Sequence, residues 1–287
     1  MLALLGVFLG IVCLVGFGLA DYFGALSSRM IGVFQSVAIS RVFSLAMVLA
    51  VFLAFFRLPL LTLSDMVLVA ITTLLLFLGY LAFYKGFKVG KVSIVSPIAN
   101  SSVIVTLVLA IAFLNTPLTN LESIAAALII IGTLLASFEL KELKRLNFRA
   151  MIKGANYAFG AMLFWGIGSF LVIVLVNELG WFIPIFLVYV FYFAYSAIYA
   201  GALRVRFTKI SPMALIVVAL TGILAAVGFL AYGAGASLGY APIVIVMLGA
   251  APTLTVILAL IRLKEKLKIS LKTGIILILV GLVLLSV

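Results

Sequence analysis

The sequence predicts an all-α membrane protein of ten transmembrane helices, arranged as two inverted five-helix repeats. Three observations carry that expectation. The chain is 67% hydrophobic and 9% charged, with mean hydropathy +1.48, so as a soluble protein of 287 residues it would lack the polar groups to cover its surface. Apolar runs of about 20 residues recur along the whole chain, each long enough for a hydrocarbon core of roughly 30 Å. Finally, the chain matches itself when slid by 149 residues.

The runs fall at about 2–23, 33–56, 66–84, 92–114, 121–138, 155–176, 181–203, 212–235, 241–261 and 269–287. The first ends near "GLA" (Gly18–Ala20), which looks like a leader-peptide cleavage site, but no basic residue precedes it. It is read as a helix. Cys13, the only cysteine, lies within it and reads as a small buried apolar residue, with no partner for an intrachain disulfide. The second run carries Arg41, the fourth Pro97, and the ninth Pro242 and Pro252. The loops are short, which leaves a first repeat at 1–139, a basic connecting loop at 140–154 and a second repeat at 155–287.

The formal charge of +12 is distributed by topology. Odd-numbered loops hold Arg29, then Lys85, Lys88 and Lys91, then Lys141, Lys144, Arg145, Arg149 and Lys153. They continue with Arg204, Arg206 and Lys209, and with Arg262, Lys264, Lys266, Lys268 and Lys272. Even-numbered loops hold only Arg57. The positive-inside rule then places the odd loops in the cytoplasm and both termini outside a cell membrane. Nucleic acid is not an expected partner; the lipid bilayer and a small-molecule substrate are.

At this repeat shift, Gly79, Gly86, Gly90 and Gly132 fall on Gly228, Gly235, Gly239 and Gly281. "GFG" (Gly16–Gly18) is set against "GIG" (Gly166–Gly168) with a shift of one more. Five helices per copy is an odd number, so the second copy must enter from the opposite side. Loop charge agrees: Lys85, Lys88 and Lys91 fall on Ala234, Ser237 and Tyr240, and "NTP" (Asn115–Pro117) falls on "KEK" (Lys264–Lys266). Inverted repeats of this kind underlie alternating-access carriers, with the site between the halves near mid-membrane.

Proline inside a membrane helix removes a backbone donor and is tolerated where the freed groups face protein or a cavity. Pro97 and Pro252 are therefore expected to break the fourth helix of each half and to act as hinges.

The tail of each half, with a proline in an apolar helix, an alanine, a short acidic loop and a last helix with glycine, resembles the drug/metabolite transporter superfamily. Pro252, Ala259, Glu265 and Gly281 carry it in the second half. "FWGIGSF" (Phe164–Phe170) is similar to the Trp-Gly element of an EamA-type repeat, and Arg41 fits a basic position common in first repeats. The first half departs from the pattern, with no Trp beside Gly16 and Thr116 where the acid is expected. The resemblance spans about 3–138 and 153–286 and implies a ten-helix transporter that exports or exchanges small metabolites, often amino acids. It also implies cytoplasmic termini, against the loop charges.

Ionisable groups inside a membrane are functional candidates by default. Asp21 near the end of helix one and Arg41, about 12 Å into helix two, qualify. They form either a structural pair or a site, in which Arg41 takes a carboxylate and Asp21 an ammonium or a proton. Asn100, Ser101 and Thr253 are polar candidates on helices four and nine; Tyr80, Tyr84, Trp165 and Tyr232 are candidates for an aromatic wall. Tyr189, Tyr192, Ser196 and Tyr199 share one helical face, read mainly as interfacial belt or packing. An aromatic cavity also suits organic cations, which makes a multidrug or organic-cation exporter the alternative reading. A channel, receptor or scaffold is less favoured, since none of these needs an inverted repeat. The chain has no histidine, no embedded carboxylate pair and no metal-ligand cluster, so catalysis, cofactors and metals are not expected.

Overall fold

The computed structural model describes residues 2–89, 98–114, 119–137, 148–205, 207–263 and 269–285. Among these residues the fold is helical throughout, with no strand. In the first half run α1 (Leu2–Ile31), α2 (Val33–Phe55), α3 (Leu63–Val89), α4 (Ser102–Leu114) and α5 (Asn120–Ser137). In the second run α6 (Phe148–Leu179), α7 (Ile183–Ala202), α8 (Pro212–Gly235), α9 (Ala241–Leu263) and α10 (Ile269–Leu285). Six described stretches are long and apolar enough to cross a membrane: Leu4–Ile31, Val33–Phe55, Leu63–Phe83, Gly154–Leu179, Ile183–Ala202 and Pro212–Thr255. Shorter apolar helices cover Ile98–Leu114, Ser123–Gly132 and Lys272–Gly281.

Local chemistry sets several ends. α1 stops at Gly32, whose φ of 82° suits glycine and turns the chain into α2. At α3, the Thr62 hydroxyl accepts from the Asp65 amide while the Asp65 carboxylate accepts from the Thr62 amide, a reciprocal cap. α8 opens with Ser211 accepting from the Ala214 amide and Pro212 in the first turn.

Two expectations about helix breaks need correction. α9 is continuous across Pro252. The backbone leaves helical geometry earlier, in a single π turn (Ala236–Tyr240) where Gly239 has φ 87°. Helical residues thus join α8 to α9 where the sequence suggested a loop, because a left-handed glycine reverses the chain with little loss of hydrogen bonding. Pro97 lies outside the described residues.

Packing between the halves comes in matched pairs. α1 packs on α8 as α3 packs on α6; α1 on α9 as α4 on α6; α2 on α8 as α3 on α7. Each pair is the other with first- and second-half helices exchanged. Equivalent helices also meet, and they run antiparallel. Phe34 faces Tyr199, Phe52 stacks on Phe186 and Phe56 on Phe182 along α2 and α7. On α5 and α10, a Cβ at Gly132 would lie 2.7 Å from the Gly274 carbonyl, and one at Gly281 would lie 2.8 Å from the Ala125 carbonyl. The repeat shift carries Ala125 onto Gly274, so these are one contact seen twice. Without side chains at these glycines the backbones approach closely, which suits association in lipid, where apolar burial gives no drive.

The core between the halves includes Cys13, Ile129, Ile173, Tyr232, Val244 and Met247, all nearly solvent-free. Phe8, Val108, Ile216 and Ile276 are exposed instead, as expected of a lipid-facing shell.

Candidate functional site

A cavity of about 110 Å³ lies between the halves. Its wall draws on α1 (Phe17, Asp21), α2 (Arg41), α3 (Leu76, Tyr80), Asn100 in the short helical stretch before α4, and α4 (Ser102, Val103, Thr106). From the second half come α6 (Trp165, Ser169), α7 (Val188, Tyr189, Tyr192), α8 (Phe229, Tyr232) and α9 (Ile245, Leu248, Gly249, Ala251). Among the described residues, none of α5 or α10 lines this wall.

Two hydrogen bonds frame the site. Thr106 Oγ1 donates to the Gly166 carbonyl at 3.0 Å, and Thr255 Oγ1 donates to the Gly18 carbonyl at 2.8 Å. The repeat shift carries Thr106 onto Thr255, so their acceptors are equivalent too, and Gly18 pairs with Gly166. This corrects the alignment of "GFG" with "GIG": the first helices register one residue closer than the later ones. Phe17 then answers Trp165, and contacts agree. Trp165 lies against Gly79 of α3, while Phe17 lies against Gly228 of α8, and those glycines are themselves equivalent. Phe17, immediately before Gly18, stands where Trp165 stands before Gly166.

With that register, Asp21 answers Ser169. In the register of the later helices, Tyr80 answers Phe229, Asn100 answers Gly249, and Ser102 answers Ala251. All eight line the cavity. In these four pairs the first half supplies the more polar group, whereas in the pair Phe17 and Trp165 the second half does. The cavity is two-fold in shape and unequal in chemistry.

Arg41 is 8% exposed, with its guanidinium carbon 4.8 Å from the Tyr80 ring centre and 5.0 Å from that of Tyr192. Both rings offer their negative faces to the cation, which is favourable where water is scarce. Tyr189 lines the same wall as Arg41 and is 2% exposed. Tyr192 is fixed in turn, its hydroxyl donating to the Leu76 carbonyl at 3.2 Å, an oxygen that also accepts from Trp165 Nε1 at 3.3 Å. Tyr232 donates to the Ser169 carbonyl at 3.1 Å. Asp21 is exposed and lines the cavity wall. A carboxylate and a guanidinium therefore share one small aromatic chamber.

Of the residues singled out from sequence, Asp21, Arg41, Tyr80, Asn100, Trp165 and Tyr232 meet on this wall. Ser101 and Thr253 lie off it, and Thr253 is buried within α9. The Tyr84 and Pro252 side chains, like Pro97, lie outside the description. Pro252 has no N–H, so the Leu248 carbonyl one turn earlier lacks its helical donor, and Leu248 is on the wall. Tyr189 and Tyr192 are buried, 2% and 3% exposed, which removes them from any interfacial belt. Ser169 was not singled out; its signal was its place three residues after Gly166, matching Asp21 after Gly18.

Fold and cavity together define a multi-pass helical membrane protein with a small chamber between its two repeats. The chain belongs to the EamA-like transporter family, whose model matches residues 4–138 and again 152–287. One solved crystal structure superposes on 95% of this chain and 96% of its own with TM-score 0.71, at 19% identity, a likeness of fold alone. No curated protein matches the sequence.

Proposed function

We propose that this protein is a ten-helix secondary transporter, two inverted five-helix repeats that export or exchange small amphipathic metabolites by alternating access, amino acids foremost. The inversion is supported by the antiparallel packing of α2 with α7 and α5 with α10. A two-fold axis along the membrane normal would make equivalent helices parallel; an axis in the membrane plane makes them antiparallel. Exchanging the conformations of two such halves turns a site open to one face into one open to the other. Odd-numbered loops are read as cytoplasmic and the termini as external, on the charge count.

The observation that carries the substrate reading is the meeting of Asp21 and Arg41 in one aromatic chamber. A zwitterion placed there has its carboxylate on Arg41, its ammonium on Asp21 and its side chain among Trp165, Tyr189 and Tyr232. Aromatic walls also favour organic cations, but Arg41 repels them. In this reading Pro252 supplies backbone carbonyl to the chamber, and any coupled proton would ride on Asp21.

A melting screen of the purified protein in detergent tests this, because a ligand bound only by the folded state raises the transition temperature. Zwitterionic amino acids should raise it in the wild type and fail in Arg41→Ala. A shift with tetraalkylammonium ions and none with amino acids would replace this reading with the organic-cation one.

A further inference from the structure

We infer that position 169 is the two-fold twin of Asp21, a second seat for the chamber's carboxylate, and that serine there fixes the cavity at a single acid. The inference rests on the transport reading for its consequence, and on geometry for its substance. Gly18 and Gly166 are marked as equivalents by the hydrogen bonds they accept from Thr255 and Thr106. Asp21 and Ser169 each lie three residues further along, just under one helical turn, and both face the same cavity.

Both seats line the chamber that Arg41 also lines. Arg41 is held by Tyr80 from the first half and Tyr192 from the second, so its charge sits on the seam between the repeats. A carboxylate arriving from α6 would enter the same small volume as one arriving from α1. Among the described residues, one acid and one base leave the chamber balanced, which suits solutes with one ammonium and one carboxylate. Two acids would tip it toward cationic solutes. Ser169 is thus a specificity-determining position, although it carries no charge.

The test moves the charge across the two-fold axis. Wild type, Asp21→Ser, Asp21→Ser with Ser169→Asp, and Asp21→Ser with Ser169→Asn are purified and melted without solute. Removing Asp21 takes a counter-charge away from Arg41, and the melting temperature should fall by several degrees; Ser169→Asp should recover most of the loss and Ser169→Asn none. Counterflow of labelled leucine in proteoliposomes should follow the same order. In an otherwise wild-type chain, Ser169→Asp should shift uptake from leucine toward lysine by about ten-fold, the effect of roughly 1.4 kcal/mol.

If Ser169→Asp restores melting no better than Ser169→Asn, or Asp21→Ser melts as wild type, the inference is overturned whatever the protein carries. Recovered melting with lost leucine counterflow, where wild type is active, also overturns it, since the seat then serves folding alone. Recovered melting in a protein that carries no amino acid in any form supports the seat and removes the amino-acid reading instead.

Discussion

Thr106 and Thr255, equivalent positions of the two repeats, make the same bond in opposite halves: each hydroxyl donates to a glycine carbonyl in the first helix of the other repeat. Such pairs show how the molecule holds two similar halves together. Interhelical hydrogen bonds in membranes are worth about 0.6 kcal/mol on average. Thr106→Val and Thr255→Val, which keep the shape, should each cost about that much in detergent unfolding, and the double variant about the sum. A cost at one site only would show that the two-fold relation is not energetic.

Close approach of backbones is the second source of cohesion. A Cβ on Gly16 would lie 2.7 Å from the Gly228 Cα, where only backbone movement gives relief. Gly16→Ala should therefore destabilise by about 1–3 kcal/mol. Gly160 has nothing within 4 Å of its own Cβ position, and Gly160→Ala should be neutral or stabilising. Unfolding of the two variants side by side checks both.

The chain reverses between α8 and α9 at Gly239, while α9 runs on through Pro252. Gly239→Ala places a Cβ at φ 87°, which costs roughly 1–2 kcal/mol in left-handed geometry. It should slow solute exchange more than Pro252→Ala does, measured as initial counterflow rate at equal protein incorporation.

The helices and their duplication were legible because both rest on coarse regularities, apolar length and glycine spacing. The hinge was not. Gly239 and Gly235 look alike in sequence, yet one turns the chain and the other packs against Val244. Asp21 and Arg41 stood out because charge in an apolar run is costly. Tyr189 and Tyr192 did not, since tyrosine is equally at home in an interfacial belt. Ser169 was hidden for a further reason: its meaning comes from its twin, and the register of α1 on α6 shifts by one residue relative to the later helices.

Orientation can be read with cysteine labelling. Cys13 is the only thiol, so Cys13→Ala gives a clean background. Arg57 and Lys209 are both exposed, on even and odd loops respectively. A membrane-impermeant maleimide added to intact cells should label Arg57→Cys and spare Lys209→Cys. The reverse pattern would place the basic loops outside.

The aromatic hold on Arg41 predicts graded effects. Tyr192→Phe keeps the ring facing the guanidinium and loses the bond to the Leu76 carbonyl, whereas Tyr192→Leu loses both. With cation–π attraction worth about 0.5–2 kcal/mol, Tyr192→Leu should weaken leucine binding by about 2- to 30-fold, and Tyr192→Phe by less. Titration of leucine against melting temperature gives both values.

The central claim is that one chamber, alternately opened by two inverted halves, carries a small zwitterion past Asp21 and Arg41. Counterflow tests it most directly: proteoliposomes are loaded with unlabelled amino acids and uptake of labelled ones is followed. The account predicts saturable uptake that depends on internal solute and is lost in Arg41→Ala incorporated at wild-type level. Uptake that neither saturates nor needs internal solute, or that survives Arg41→Ala unchanged, would contradict it.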